Sequence, residues 1–411
     1  MKTIGLCVFM LMLVLNGCRY PSTAIPTISG SKQPTATAER AMIPTSTIMH
    51  IPTPTQAGVS LPLLIQAIPV GSPTPALAST VIQVPTAAAS PTQAITPAPA
   101  ADITLLFTGV IVPARCVQSA IDARGDANYV YGAVRDIISS ADLAVGTLNT
   151  TLSDLSTHTG CIVTYVLVSD ARSAVAAASA GFDVMSVATN HIKNCSGASC
   201  ADSYNRAFFD TLDNLRANNI QPVGAGMNME DALQPVVMEV KGIRFGIVSL
   251  GMVEPMAFAG ADSPGIAPLT DENLQAAIAN VKGESDVVIV MPHWGPEDSA
   301  DPTSYQRHFA QVSVDAGADV VVGNHTHVVQ AIQQINGVDV FYGLGNFIFD
   351  QTWDLAHQQG VILLLHFSGM QYTGYEIIPT HVDGDGTVHI AGPDEATSII
   401  ERIEAASALL K

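Results

Sequence analysis

Three short segments of the 411-residue chain concentrate side chains suited to holding a metal ion: Thr189-Asn190-His191, Pro292-His293-Trp294-Gly295 and Gly323-Asn324-His325-Thr326-His327. Each follows a short apolar run rich in β-branched residues: Phe182–Ala188, Asp286–Met291 and Ala318–Val322. Such runs read as strands, and α/β proteins place their sites just beyond the carboxyl ends of strands. Three strand ends therefore offer His191, His293, His325 and His327 together with the amide of Asn190. Imidazole nitrogens and an amide oxygen suit zinc, iron or manganese, and a His-x-His pair puts two imidazoles within reach of one centre. A solitary histidine is more often a hydrogen-bonded structural residue. The same placement repeated three times argues for a site, with His191 and His293 as the candidates for acid–base work.

Other residues carry weaker signals. Arg115 is a candidate contact for a phosphate or carboxylate group, and a salt bridge to one of the many acidic residues accounts for it equally well. Asn346 is a second candidate ligand contact, although Asn346 and Asp350 also fit a Gly-Asn turn with a capping aspartate. Glu297 and Asp298 stand close enough in sequence to orient His293. His308, His357, His366, His381 and His389 have no spacing that recruits them, and Gly224-Ala225-Gly226 reads as a turn.

The elements that must position these groups begin at residue 101. Ile103–Thr108 and Asp142–Leu148 are further strand-like runs separated by helical stretches. Val236–Val240 and Ile243–Leu250 flank Lys241-Gly242, a hairpin signal. A helical segment near Tyr305–Ala316 precedes the third candidate segment. Val328–Ile335, Val338–Leu344, Val361–Phe367 and Tyr372–Pro379 then follow in quick succession, and Glu395–Leu410 reads as an amphipathic helix. Alternating α and β followed by hairpins predicts mixed sheets with helices outside them. About 310 residues suffice for one large domain.

The first 100 residues are a different material. Lys2, the apolar run Ile4–Leu15 and Leu15-Asn16-Gly17-Cys18 have the layout of a signal peptide over 1–17, with an apolar run shorter than the roughly 20 residues a membrane span needs. A Leu-x-Gly-Cys ending resembles the bacterial lipobox, which implies lipidation of Cys18 and anchoring at the outer face of the cell membrane. Fourteen of the chain's 25 prolines lie between Pro21 and Pro99. Interleaved with Thr, Ser and Ala, they predict a disordered, extended linker over 18–100. This segment holds Lys2, Arg19, Lys32 and Arg40 against Glu39. Of the chain's 17 basic and 36 acidic residues, 13 and 35 thus lie beyond it, a balance of −22. Such acidity argues against nucleic acid as a partner. Cys116, Cys161, Cys195 and Cys200 remain after the leader and the lipid site. An even number in an exported chain favours disulfides, and Cys195–Cys200 across a short turn would leave Cys116–Cys161. Zinc is the rival for these cysteines, but no CxxC pair occurs.

The ordered motifs resemble a known family. Ile103-Thr-Leu-Leu-Phe-Thr-Gly109, Arg115, Ala141-Asp-Leu-Ala-Val145, Gly181-Phe-Asp-Val184, Asn190-His191, Gly224-Ala-Gly226, His293-Trp-Gly295, Gly317-Ala-Asp319, His325-Thr-His327-Val328 and Tyr342-Gly-Leu-Gly-Asn346-Phe-Ile-Phe-Asp350-Gln351 occur in that order. Together they are similar to bacterial capsule-synthesis proteins of the poly-γ-glutamate (CapA) type, of the calcineurin-like metallophosphoesterase fold. The resemblance implies that residues 101–411 form a four-layer α/β/β/α sandwich of two mixed sheets, with metal ligands on loops at the carboxyl ends of its strands. Departures from the pattern bear on the metal. Gly109-Val110 stands where the family has Gly-Asp, Thr147-Leu148-Asn149 where it has Asn-Leu-Glu, and Asn194 where it has an aspartate. Two cations about 3.5–4 Å apart need bridging carboxylates. Their loss implies one divalent cation (zinc, manganese or iron) on Asn190, His191, His293, His325 and His327, unless Asp102 or Asp142 compensates. Three functions follow: a hydrolase with a reduced metal site, a non-catalytic protein binding an anionic surface polymer or the capsule machinery, or a divergent envelope protein that kept the fold and lost both activities.

Overall fold

The computed structural model describes residues 101–198 and 204–410. The expected signal peptide 1–17, lipidated Cys18, linker 18–100 and the Cys195–Cys200 pairing through Cys200 lie outside the described residues. The chain runs through β1 (Asp102–Ile111), α1 (Cys116–Arg124), α2 (Arg135–Ser140), β2 (Leu143–Leu148), α3 (Arg172–Ala180), β3 (Val184–Ser186), α4 (Tyr204–Ala217) and β4 (Gln221–Val223). It then builds a second sheet from β5 (Val236–Val240), β6 (Ile243–Gly251), β7 (Val287–His293), β8 (Val320–Val322), β9 (Ile332–Ile335) and β10 (Val338–Phe341). Helices α5 (Asp271–Lys282) and α6 (Ser304–Ala316) lie between those strands in sequence. Strands β11 (Asn346–Ile348), β12 (Gln359–Ser368), β13 (Gln371–Val382) and β14 (Val388–Ile390) return to the first sheet, followed by α7 (Pro393–Ala408). No helix among the described residues is long and apolar enough to cross a membrane.

Both sheets are mixed. The first has the order β14-β13-β12-β1-β2-β3-β4, with β11 also pairing to β1, and its β1 to β4 half is parallel. The second has the order β9-β10-β8-β7-β6-β5, parallel from β6 through β10. The period-two pattern of the strands separates three cores. Leu105, Phe107, Val145 and Val184 face Phe245, Ile247, Ile289 and Val322 between the sheets. Leu106, Ala144 and Met185 turn the other way, onto Val117, Ile138, Ala177 and Phe208 of α1 to α4. Val248, Val288, Val290 and Val321 pack on Leu274, Ile278 and Val281 of α5 and Ala310 of α6. The four layers are therefore helices, sheet, sheet, helices, as the motifs imply.

Local chemistry sets the element ends. Lys241 and Gly242 both have positive φ, 49° and 83°, the backbone a tight I′-type hairpin requires. A capping box between Thr303 and Gln306 starts α6. The strand expected over Val328–Ile335 is shorter, beginning at Ile332, because Val329 and Gln330 instead bond across to the Gly343-Leu344 turn. Strands β4, β11 and β14 have no signal in the sequence pattern, because three residues each are too few to show a period. Gly224-Ala225-Gly226 is not a plain turn: Ala225–Gly226 forms a two-residue ladder with Gly265–Ile266.

Gly109 makes the junction beneath the site. A Cβ there would stand 2.2 Å from the Gly345 carbonyl oxygen. Without one, the Val110 N–H reaches that oxygen at 2.9 Å, and β11 pairs to β1 with Asn346 opposite Val110. We predict that Gly109→Ala lowers folding stability by about 2 kcal/mol or more, as overpacking against backbone does. The denaturant midpoint checks this, and an unchanged midpoint would contradict the close approach.

Candidate metal centre

The described residues bring all four histidines together at the carboxyl ends of parallel strands from both sheets. Asn190 and His191 follow β3, His293 is the last residue of β7, and His325 and His327 lie just beyond β8. A parallel bridge between His293 and Asn324 continues the β7–β8 alignment past the strand ends. Trp294 anchors this turn, fully buried, stacked on Tyr342 and donating its indole N–H to the Tyr342 carbonyl at 2.8 Å. His325 and His327 both adopt positive φ, 104° and 60°, a strained backbone for residues bearing a Cβ. Such strain concentrates where geometry serves a site.

The donor atoms crowd one point. His293 Nε2 lies 3.1 Å from Asn190 Oδ1 and 3.1 Å from His325 Nδ1. One Nε2–H cannot serve both acceptors equally. In a tetrahedral site with bonds of about 2.0–2.1 Å, neighbouring ligand atoms lie about 3.3 Å apart, so these separations match ligands around one small cation. The other two imidazoles are held by amides. His191 Nδ1–H donates to Asn194 Oδ1 at 2.9 Å, an oxygen also taken by the Leu167 N–H at 2.7 Å. His327 Nδ1–H donates to Asn346 Oδ1 at 2.8 Å. Each leaves Nε2 with its lone pair, the tautomer a metal ligand or a base needs. Among the described residues, three of the five buried side-chain polar atoms without a partner are here: Asn149 Nδ2, His293 Nδ1 and Asn324 Oδ1. Orphans of this kind mark places where an ion or ligand completes the bonding.

Asn190, His293 and His325 fit one divalent cation, neither His191 nor His327 brings its donor within 4.8 Å of both His293 and His325, and the residues do not fit a carboxylate-bridged pair. Val110 is fully buried in an apolar cluster with Val112, Leu167 and Phe349. Asn149 accepts the His191 backbone N–H at 3.0 Å, and Asn194 holds the His191 ring. Asp142 cannot compensate, since it pairs with Lys241 and accepts the Thr104 N–H, and Asp102 is exposed in β1. The nearest carboxylate is Glu297, 3.9 Å from His327 Nε2. Among the described residues, three His or acidic donors meet within 4.8 Å only at Asp122, His158 and Asp170. Arg172 already pairs with both of those aspartates.

Other expected contacts take different roles. The Arg115 guanidinium forms a buried ion pair with Asp350, whose carboxylate also accepts the Cys116 N–H at the start of α1. Its remaining bond goes to the Thr164 carbonyl at 3.1 Å. Its charge is thus balanced within the protein and not left for a ligand. Asn346 likewise positions His327, with its NH2 given to Gln351 and the His357 carbonyl. Glu297 and Asp298 do not orient His293: Asp298 meets His357 Nε2 at 2.6 Å. His357 itself, not singled out by spacing, is buried and bridges Asp298 to Asp354. Only its fold position reveals that. His293 is enclosed, so of the two acid–base candidates only His191 reaches a cavity.

That cavity, of about 220 Å³, is lined by Arg115, Tyr165, His191, Glu297, His327 and Trp353 among others. One wall is the stretch 153–167, which has no helix or strand. The Cys116–Cys161 disulfide and the Arg115 bond to Thr164 tie it to the start of α1. Tyr165 and Trp353 are 84% and 57% exposed at the rim.

Burial keeps the cluster neutral. It pushes the His191 pKa down, His293 well below the usual range, His325 to about 3 and His327 to about 4. Neighbouring imidazoles add to the effect at His293 and His325. Neutral imidazole is the ligating form. Burial also raises the Glu297 carboxyl. Because folded pKa values lie below the unfolded value of about 6.5, the unfolded chain binds more protons as pH falls. Cation-free protein should therefore keep full stability above pH ~6.5 and lose about 1–2 kcal/mol per buried histidine by pH ~5. Denaturant midpoints across that range check this. A flat profile, or no flattening in His325→Asn, His327→Asn, would contradict it.

The comparisons agree with these motifs. The family model described as bacterial capsule synthesis protein PGA_cap matches residues 104–351. The PGA biosynthesis protein CapA of Bacillus subtilis (strain 168) is 29% identical over 258 residues, 62% of this chain and 66% of that protein. The capsule biosynthesis protein CapA of Bacillus anthracis is 29% identical over 269 residues, 63% of each. The chain thus spans slightly under two thirds of these two curated relatives. Among solved structures, a phosphatase from Mycoplasma pneumoniae aligns at a TM-score of 0.43 and 14% identity, over 68% of this chain and 94% of that one. The matched span takes in every residue of the histidine cluster, and the chain belongs to the bacterial capsule synthesis protein PGA_cap family.

Proposed function

We propose that this chain is a lipid-anchored, cell-surface member of the family, working as a hydrolase with a single-cation centre on a phosphoester or related bond in surface-polymer metabolism. The relatives' names concern PGA and capsule biosynthesis, and that setting is carried over as part of the proposal. The observation behind it is the crowding of Asn190 Oδ1 and His325 Nδ1 on His293 Nε2, at 3.1 Å each, beside two more amide-oriented imidazoles. A cation on these donors would supply Lewis-acid polarisation of substrate oxygen and water. The chain's own groups do the rest. Asn194 holds the His191 ring at Nδ1 and the ring lines the cavity, so its Nε2 lone pair is kept for taking a proton from water and is not one of the cation's ligands. As a neutral imidazole with Nδ1–H committed, His191 acts as a base and not as the acid. Asn346 fixes His327, and the wall tied by Cys116–Cys161 limits access from solvent.

A second reading has its own support. Val110, Asn149 and Asn194 remove the carboxylates that a two-metal hydrolase of this pattern would use, which favours a binding protein that kept the cleft.

Elemental analysis of the purified chain decides between them. The hydrolase reading predicts about one equivalent of zinc, manganese or iron, lost in His325→Ala, His327→Ala. No uptake after incubation with each metal would leave the binding reading. The anchor is tested separately: Cys18→Ser should release the chain into the medium, whereas unchanged membrane retention would refute lipidation at Cys18.

A further inference from the structure

A second cavity, of about 370 Å³, adjoins the histidine loop and is lined by Asn190, Lys193, Asn194, Asn205, Glu254 and Met256 among others. Lys193 is only partly exposed there. Its ammonium donates to the Pro264 carbonyl at 2.9 Å and lies 5.9 Å from the Phe208 ring. That leaves two of its three N–H donors, and it makes no ion pair among the described residues. Arg115, Arg124, Arg172, Arg216, Lys241 and Arg244 pair with aspartates, while Arg135, Arg206, Lys282, Arg307 and Arg402, like Lys193, form no ion pair among the described residues. Lys193 differs from these in lining a cavity beside the histidine loop. A half-buried cation with no counter-charge among the described residues carries a desolvation cost that an anion would offset.

The neighbouring amides have matching chemistry. The oxygens of Asn190 and Asn194 are turned to His293 and His191, and their NH2 groups have no partner among the described residues. An ammonium and amide NH2 donors at one cavity form a receptor for an oxyanion. Glu254 also lines it, so the site suits a single anionic group and not a dense run of charge.

We propose that this cavity is an anion subsite in which Lys193, with Asn190, Asn194 and Asn205, receives a carboxylate or phosphoryl group of the ligand whose reacting part lies at the histidine cluster. The inference rests on the proposed function for the placement of that reacting part. The subsite itself needs no bound cation, so the two can fail separately. It also gives an acidic domain a local means of holding an anionic ligand.

The test is calorimetric titration of the full chain, dialysed free of cations, with inorganic phosphate and with glutarate. At least one probe should bind, and preference between them assigns the group as phosphoryl or carboxylate. Lys193→Gln should weaken binding roughly tenfold or more, Lys193→Arg should retain it, and Lys282→Gln, remote in the fold, should leave it unchanged. The His325→Ala, His327→Ala variant should still bind the probe, which separates the subsite from the cation centre. Equal affinity in Lys193→Gln and wild type, or no binding of either probe to wild type, would overturn the proposal.

Discussion

The contact on which the rest depends is the meeting of His293, His325 and Asn190 where the parallel strands of two sheets end. Two polar atoms, Asn190 Oδ1 and His325 Nδ1, each 3.1 Å from a third, His293 Nε2, are tolerable in a buried place only if something satisfies them. The surrounding protein satisfies part of the demand with amide oxygens and leaves three atoms without partners. Burial in turn keeps the imidazoles uncharged, since four cations so close would repel one another as well as lose their water. Neutrality, crowding and unmet bonding all follow from putting these side chains at the seam between the sheets.

The seam explains the scaffold. Apolar side chains between the sheets set their spacing, and β3, β7 and β8 deliver their following residues to one end of it. β11 is inserted beside β1, and Gly109 lets it approach closely enough for Asn346 to hold His327. Trp294 and its bond to Tyr342 fix the turn after His293. The outer cleft is assembled from less regular pieces, tied by a disulfide and a buried Arg115–Asp350 pair. Chemistry and its positioning thus belong to different layers of the same sequence.

Much of this was legible in the sequence because it repeats. Strand-length apolar runs followed by His or Asn point to mixed sheets with helices outside and to the members of the cluster, while the four layers follow from the resemblance of the ordered motifs. What was not legible depended on short or distant pairings. β4, β11 and β14 are three residues long, and nothing in three residues distinguishes strand from loop. The sequence leaves Arg115 divided equally between a ligand and a salt bridge because its partner Asp350 is 235 positions away, and gives His357 no role because its partner Asp298 is 59 away. Lys193 belongs to no motif; only its half-buried place at a cavity beside the histidine loop brings it forward. Residues 101–411 could be read for where chemistry sits, but not for which charges are already cancelled.

The central claim is that one cation, and not a bridged pair, occupies the histidine cluster. X-ray absorption at the metal edge, on the chain loaded with zinc, tests it most directly. The account predicts a shell of nitrogen and oxygen ligands with an imidazole outer-shell signature from at least two histidines, and no metal–metal distance near the ~3.5–4 Å of paired centres. A metal–metal vector at that distance would show that Asn149, Asn194 and Glu297 sustain two cations after all. A spectrum without imidazole scattering would place the metal elsewhere and contradict the account at its root.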